Sequence, residues 1–173
     1  GMNSPSFRTV YSELLSAENR VKDAVIVDER HNGGGWLHDD LCTLLSGKEY
    51  QKFIPHGKLI GTDPFNKWNK PSCVMICEDD YSNGQGFPQI YKALNIGKLI
   101  GAPVAGTMTA VWWETLINGM VFGIPQVGCQ DMNGEFAENK QLNPDVEVYN
   151  MPEDYLNGYD RQLERAVREM MKK

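Results

Sequence analysis

Apolar and polar residues recur along this chain with two periods, and each change of period marks an element. Phe7, Val10, Leu14 and Ala17 repeat at helical spacing behind Ser4 and Pro5, a serine cap followed by proline at the first helical position. They predict a helix over about residues 5–19. Residues 23–28 form a first strand, and its run Ala24, Val25, Ile26, Val27 leaves neither face polar. Strands of that kind belong in parallel sheets covered on both sides. A helix follows over roughly residues 37–46, with Leu37, Leu41, Leu44 and Leu45 inward, Asp39 and Asp40 in its first turns and Gly47 as its stop. Residues 50–54 alternate as a short strand, and residues 56–71, rich in glycine, asparagine and proline, predict an irregular loop. Residues 72–77 are a second buried strand. Phe87, Ile90, Tyr91 and Leu94 then give a helix ending near Gly97, and residues 98–100 a third short strand. Residues 109–113 and 119–124 read as strands joined by a turn near Asn118 and Gly119, with 127–129 and 146–148 as shorter candidates. The last helix starts at about Asp160 and carries Leu163, Val167 and Met170 on one side. Strands alternating with helices argue an α/β fold.

Composition narrows the picture by exclusion. The 173 residues are enough for one domain with a core, and no internal repeat divides them. Seventeen Lys and Arg against 23 Asp and Glu give a formal charge of −6 with no basic stripe, which argues against nucleic acid as a partner. No apolar run reaches the length of a bilayer span, and the start has neither the n-region nor the h-region of a signal peptide. The four cysteines are Cys42, Cys73, Cys77 and Cys129. Cys73 and Cys77 lie four apart on a predicted strand, too far to bond each other, and no C-x-x-C pair or nearby histidine suggests zinc. No metal and no cofactor is expected.

Candidate chemistry gathers in two loops. Asp28, Glu29, Arg30, His31, Asn32, Gly33, Gly34 and Gly35 directly follow the first apolar strand. Tyr81, Ser82, Asn83, Gly84, Gln85, Gly86, Phe87 and Pro88 soon follow the second. The glycines of the first loop present backbone amides with few side chains in the way. Those amides could supply an oxyanion hole, cradle a phosphate or merely turn the chain. The pattern is neither G-x-G-x-x-G nor a P-loop, which leaves nucleotide binding poorly supported. Ser82 sits just before a helix, where free N–H groups and the dipole support an attacking oxygen. Local sequence alone reads it more readily as an N-cap. His31, His38 and His56 are the only histidines. His38 and His56 read as surface or capping residues, and His31 is the one that could approach Ser82 as a substitute base. Glu138 and Asn139 read by themselves as a solvated turn. Met75, Met108 and Met120 read as core filler. Trp112 and Trp113, adjacent on a strand, face opposite sides.

Taken jointly, five segments resemble the C-terminal catalytic core of tricorn-type proteases, in the carboxyl-terminal processing peptidase family of serine peptidases. Residues 24–35 resemble the family's strand and D-x-R-x-N-x-G-G loop, and residues 81–88 its serine elbow, usually S-D-G-x-x-F-P. Residues 96–107 resemble the stretch after the elbow helix. Residues 138–148 resemble the E-N-x-x-x-x-P-D-[IV]-x-V segment, and residues 159–167 the closing D-x-Q-L-x-x-A helix.

The resemblance implies a crotonase/ClpP-like α/β core, a mostly parallel sheet flanked by helices. It also implies that residues 1–173 are a single core domain, N-terminally truncated before upstream strands and the base-bearing segment. It gives Ser82 the part of nucleophile, the amides of Asn83 and Gly34 the oxyanion hole, and Glu138 the acid that orients the base through a second serine. The family's base histidine and its neighbouring serine lie upstream of everything that matches. Lys92 and Lys98 do not stand in the context of the alternative lysine base. The expectation is serine-type peptide-bond hydrolysis of peptides or unfolded proteins, inert in this isolated stretch. The alternatives are a noncatalytic peptide-binding or oligomerisation domain on the same fold and, further off, a crotonase-like acyl-CoA enzyme. Homo-oligomers or association with upstream domains of a longer chain fit the resemblance. Family members occur both in the cytosol and behind signal peptides, so the compartment stays open.

Overall fold

The computed structural model describes residues 1–172. Four parallel strands make the central sheet: β1 (Val25–Asp28), β4 (Ser72–Ile76), β5 (Lys98–Gly101) and β8 (Val146–Glu147), in the order β1-β4-β5-β8. The register pairs Val25 with Ser72 and Cys73 with Lys98, which puts the C-terminal ends of β1, β4 and β5 on one edge. Helices α3 (His38–Ser46) and α4 (Asn83–Ala93) cover one face. There Cys42, Leu45, Val74, Ile76, Phe87, Tyr91 and Leu99 pack as one cluster with Trp68 from the preceding loop. Helix α6 (Arg161–Met170) covers the other face, where Cys73, Met75, Ile100 and Ala166 meet. The expected α/β architecture with a parallel sheet between helices is what forms. β4 is buried along its whole length, as an inner strand covered on both faces must be. β1 is only half-buried, because it lies at the sheet's edge.

Several elements depart from the pattern-based expectations. The first helix is two: α1 (Ser4–Leu14) and α2 (Ala17–Arg20). Asn3 caps α1 by accepting from the Ser6 N–H, and Ser16 restarts the chain by accepting from the Asn19 N–H. Residues 56–71 are more ordered than their composition suggests. β2 (Gln51–Phe53) pairs antiparallel with β3 (Gly61–Asp63), closing a small hairpin around a 3₁₀ turn at Pro55–Gly57. β6 (Thr109–Thr115) and β7 (Val121–Gly128) form one long antiparallel hairpin with a bulge between Ala110 and Val111. The two short strands expected at 119–124 and 127–129 are thus a single strand running through Pro125, on a ribbon open enough to tolerate it. Trp112, Trp113 and Met120 on this hairpin are exposed, so Met120 is not core filler. Met75 is core. A short helix α5 (Pro152–Leu156) precedes α6.

The inner face of α6 is turned from the expected one. Leu163 and Val167 are exposed, and Gln162, Ala166 and Glu169 are buried instead. The polar pair is accommodated because each finds partners. Gln162 donates to the Val148 carbonyl, and Glu169 meets Lys98, Arg165 and Lys172. All four cysteines are free thiols, with Cys42, Cys73 and Cys77 buried and Cys129 partly exposed. Burial pushes the first two thiols up to about 12 and Cys77 to about 11. Among the described residues no helix is long and apolar enough to cross a membrane.

Candidate active site

β1 and β4 are parallel neighbours, so the two candidate loops leave the sheet side by side at the same edge. Backbone and side-chain bonds then lace them together. The Tyr81 N–H donates to the Asn32 carbonyl at 2.9 Å, and the Asn32 N–H donates to Asp80 Oδ1 at 3.2 Å. The Asn83 carboxamide donates to the Gly35 carbonyl. A Cβ on Gly34 would stand 2.7 Å from the Tyr81 carbonyl oxygen and 2.8 Å from both the Asn83 nitrogen and the Ser82 Cβ. Glycine is required there by contact as well as by its φ of +85°.

Ser82 occupies the elbow between β4 and α4 with φ 57° and ψ −122°. That left-handed geometry suits the first inner position of a type II′ turn and is strained for any residue with a Cβ. Ser82 stands at the N-cap position of α4, but its hydroxyl makes no capping bond. A serine placed there to cap would accept from the second or third helical amide. The strain and the free hydroxyl together set this residue apart from a structural cap. Its backbone is anchored instead: the Ser82 N–H donates to the Thr107 carbonyl at 3.1 Å.

The remaining candidates fall around this elbow in different ways. Asn83 opens α4, where the first amides have no intrahelical acceptor. The Gly34 N–H is taken, donating to Asn32 Oδ1 at 2.9 Å. Glu138 is half-buried, and its Oε2 accepts from the Thr109 hydroxyl at 2.7 Å. Thr109 lies two residues beyond Thr107, on the strap that holds Ser82. Arg30 does not meet Glu138; it pairs with Asp28 and Asp160 and donates to Gln162, tying the first loop to α6. His31 makes no hydrogen bond to the serine. Its Nδ1 lies 3.1 Å from Asp79 Oδ2 and 3.7 Å from Cys77 Sγ, and its side chain is largely exposed.

Three residues that sequence patterns did not single out shape the site. Asp80, 2 % exposed, accepts from the backbone amides of Cys77 and Asn32, so it sets the first loop against the second. Burial raises its carboxyl to about 6, against the lowering effect of those amides. Gln85 is buried in the first turn of α4. Thr107 has a buried hydroxyl with no partner among the described residues. For Asp80 and Gln85 the only available signal was closeness to Ser82 in the chain, and for Thr107 its place at the end of the segment 96–107; neither says which way a side chain turns. Glu29 is a further buried acid, with both carboxylate oxygens unpartnered. Burial, then the nearby Asp80 and Asp28, push its carboxyl well above the ordinary range. No group of three or more His, Cys, Asp or Glu suited to a metal exists among the described residues.

Known proteins resemble this chain in sequence and in fold. The family described as Peptidase family S41 matches residues 2–148. The chain is 31% identical to the tricorn protease of Thermoplasma acidophilum over 145 residues, covering 83% of this chain and 14% of that protein. It is 30% identical to the tricorn protease of Thermoplasma volcanium over 159 residues, covering 91% of this chain and 15% of that one. The crystal structure of the tricorn protease superposes with a TM-score of 0.74 at 30% identity, over 87% of this chain and 15% of that chain. The photosystem II D1 C-terminal processing protease shares the fold, with a TM-score of 0.65 at 16% identity over 85% of this chain and 40% of that one. The chain thus spans about one seventh of the length of the tricorn proteases it matches. With most of its residues inside the family's pattern, the chain belongs to peptidase family S41.

Proposed function

We propose that residues 1–173 are the core domain of a serine peptidase and that Ser82 is its nucleophile. The observation that carries this reading is the strained elbow, a left-handed serine with an uncapped hydroxyl beside the glycine loop. Such strain persists where surrounding structure imposes it, and it clusters at reactive sites. Ser82 Oγ attacks the peptide carbonyl, and the oxygen gathers negative charge as the tetrahedral intermediate forms. The Asn83 N–H, at the positive end of α4, is one donor to that oxygen. The Gly34 N–H is the second, and the substrate oxygen must displace Asn32 Oδ1 to use it. Glu138, already holding the Thr109 hydroxyl, steadies the base assembly rather than Ser82 itself. His31 has no part in this scheme, because its ring meets Asp79 and Cys77 and makes no hydrogen bond to Ser82. The base comes from outside residues 1–173, and the substrates are peptides or unfolded proteins.

A general base is typically worth about 10²–10⁴ in rate. The 173-residue chain is therefore expected to hydrolyse peptides at background rate and to label slowly at Ser82 with a fluorophosphonate. Supplying a histidine-bearing upstream segment should raise both rates, and Ser82→Ala should remove the gain. Rapid hydrolysis by the chain alone that disappears in His31→Ala would overturn the scheme in favour of a base within the first loop.

One observation favours a second reading, a noncatalytic interaction domain. The β6–β7 hairpin exposes Trp112, Trp113, Ile117 and Phe122, a large apolar surface for one ribbon. Wild-type chain that never labels at Ser82, even with the upstream segment, would favour it.

A further inference from the structure

We infer that Gln85 is the positioning residue that couples the Ser82 elbow to the Glu138 segment. The inference rests on the reading in which these two residues serve one reaction. Gln85 is 1 % exposed, and its carboxamide is used on both sides. Its Oε1 accepts from the Thr107 N–H at 2.8 Å. Its Nε2 faces the carbonyls of Ala137 and Lys140, each at 3.4 Å.

These bonds close a circuit. Thr107 is gripped at both ends of one residue: its N–H by Gln85 and its carbonyl by the Ser82 N–H. The Asn139 N–H, next to Glu138, donates to the Gly106 carbonyl at 2.8 Å. The Thr109 hydroxyl completes the link to Glu138. Residues 104–109 are therefore a strap between α4 and the turn at 137–140, and Gln85 is the side chain that touches both. Only a carboxamide offers an acceptor to an amide N–H on one side and donors to two carbonyls on the other. Glutamate has the same shape but keeps the donor only while protonated. Methionine has similar bulk and offers neither.

The test follows from that difference and does not depend on catalysis. The backbone amides of Ser82 and Asn139 and the Glu138 carboxyl carbon are followed by NMR from pH 4.5 to 8.5 in wild type, Gln85→Glu and Gln85→Met. In Gln85→Glu all three signals should move together with one midpoint that the wild type lacks, and should approach wild-type positions below it. In Gln85→Met they should be displaced at every pH and gain no midpoint over the wild type. Ile26 and Ala166, on β1 and α6, should stay still in both. In the wild type, the Gln85 NH₂ protons should exchange slowly with water and show contacts to Ala137 and Lys140. Movement confined to Thr107, an unmoved Glu138 carboxyl, or fast exchange of the Gln85 NH₂ would each overturn the inference. That last measurement needs no variant and decides the matter if neither substitution folds. Loss of coupling with fluorophosphonate labelling intact removes the role of Gln85 alone. Coupling without labelling removes the peptidase reading and leaves the linkage standing.

Discussion

Ser82 shows how one backbone angle separates two explanations of the same residue. Position alone made it an N-cap, yet its φ of 57° and ψ of −122° deny its oxygen the capping bond. Glycine accepts this conformation without the penalty that a Cβ brings, about 1–3 kcal/mol for sparsely populated regions. Ser82→Gly should therefore raise the melting temperature by a few degrees, while Ser82→Ala should leave it nearly unchanged. Calorimetry on the two variants checks this, and a Ser82→Gly variant less stable than wild type would contradict the strain. The elbow that carries the serine was legible in the sequence, because a buried strand, a short loop and an amphipathic helix bracket it. The company it keeps was not. Gln85 and Asp80 act through the direction their side chains take, and the Gly34 amide is engaged by Asn32. No spacing rule carries such information.

At the scale of elements, periodicity succeeded where one face is uniformly apolar and failed where polar groups are buried in pairs. β4 was plain from Cys73, Val74, Met75, Ile76 and Cys77. α6 was found, but its orientation was misjudged, because Gln162 and Glu169 go inside while Leu163 and Val167 stay out. Hydropathy cannot foresee that Val148, Lys98 and Arg165 will satisfy those two side chains. Ala166, fully buried against Cys73, Met75 and Ile100, fixes how closely α6 approaches the sheet. Ala166→Leu is expected to cost about 1–3 kcal/mol by overpacking, and Leu163→Gln to stay within about 0.5 kcal/mol. Denaturant unfolding of both variants settles which face is inner, and equal losses would contradict it. β2 was expected from the alternation of residues 50–54, but its partner β3 was missed for another reason. The three residues of β3 are too few to show alternation, and the glycines and prolines around them look like loop.

For the molecule as a whole, two buried acids set how folding responds to pH. Glu29 is raised by burial and by Asp80 and Asp28, and Asp80 is raised by burial to about 6. An acid whose folded value lies above its unfolded one takes up protons on folding. Its stabilising contribution is complete below the unfolded value, near 4, and is lost as pH rises through the folded value. These two groups therefore make the fold less stable at pH 8 than at pH 4.5. Glu29→Gln should melt higher than wild type at pH 8 and close to it at pH 4.5; a gain only at the lower pH would reverse the sign. The placement of the cysteines has a practical corollary. Cys42, Cys73 and Cys77 are sealed in the core as protonated thiols, whereas Cys129 stands partly open where the β6–β7 ribbon rejoins the body. A maleimide dye added to the native protein should attach at position 129 alone, giving a single fluorescent handle at the root of the ribbon. The other three thiols then keep time: each one modified later, counted by mass, records an excursion in which the core around it has opened.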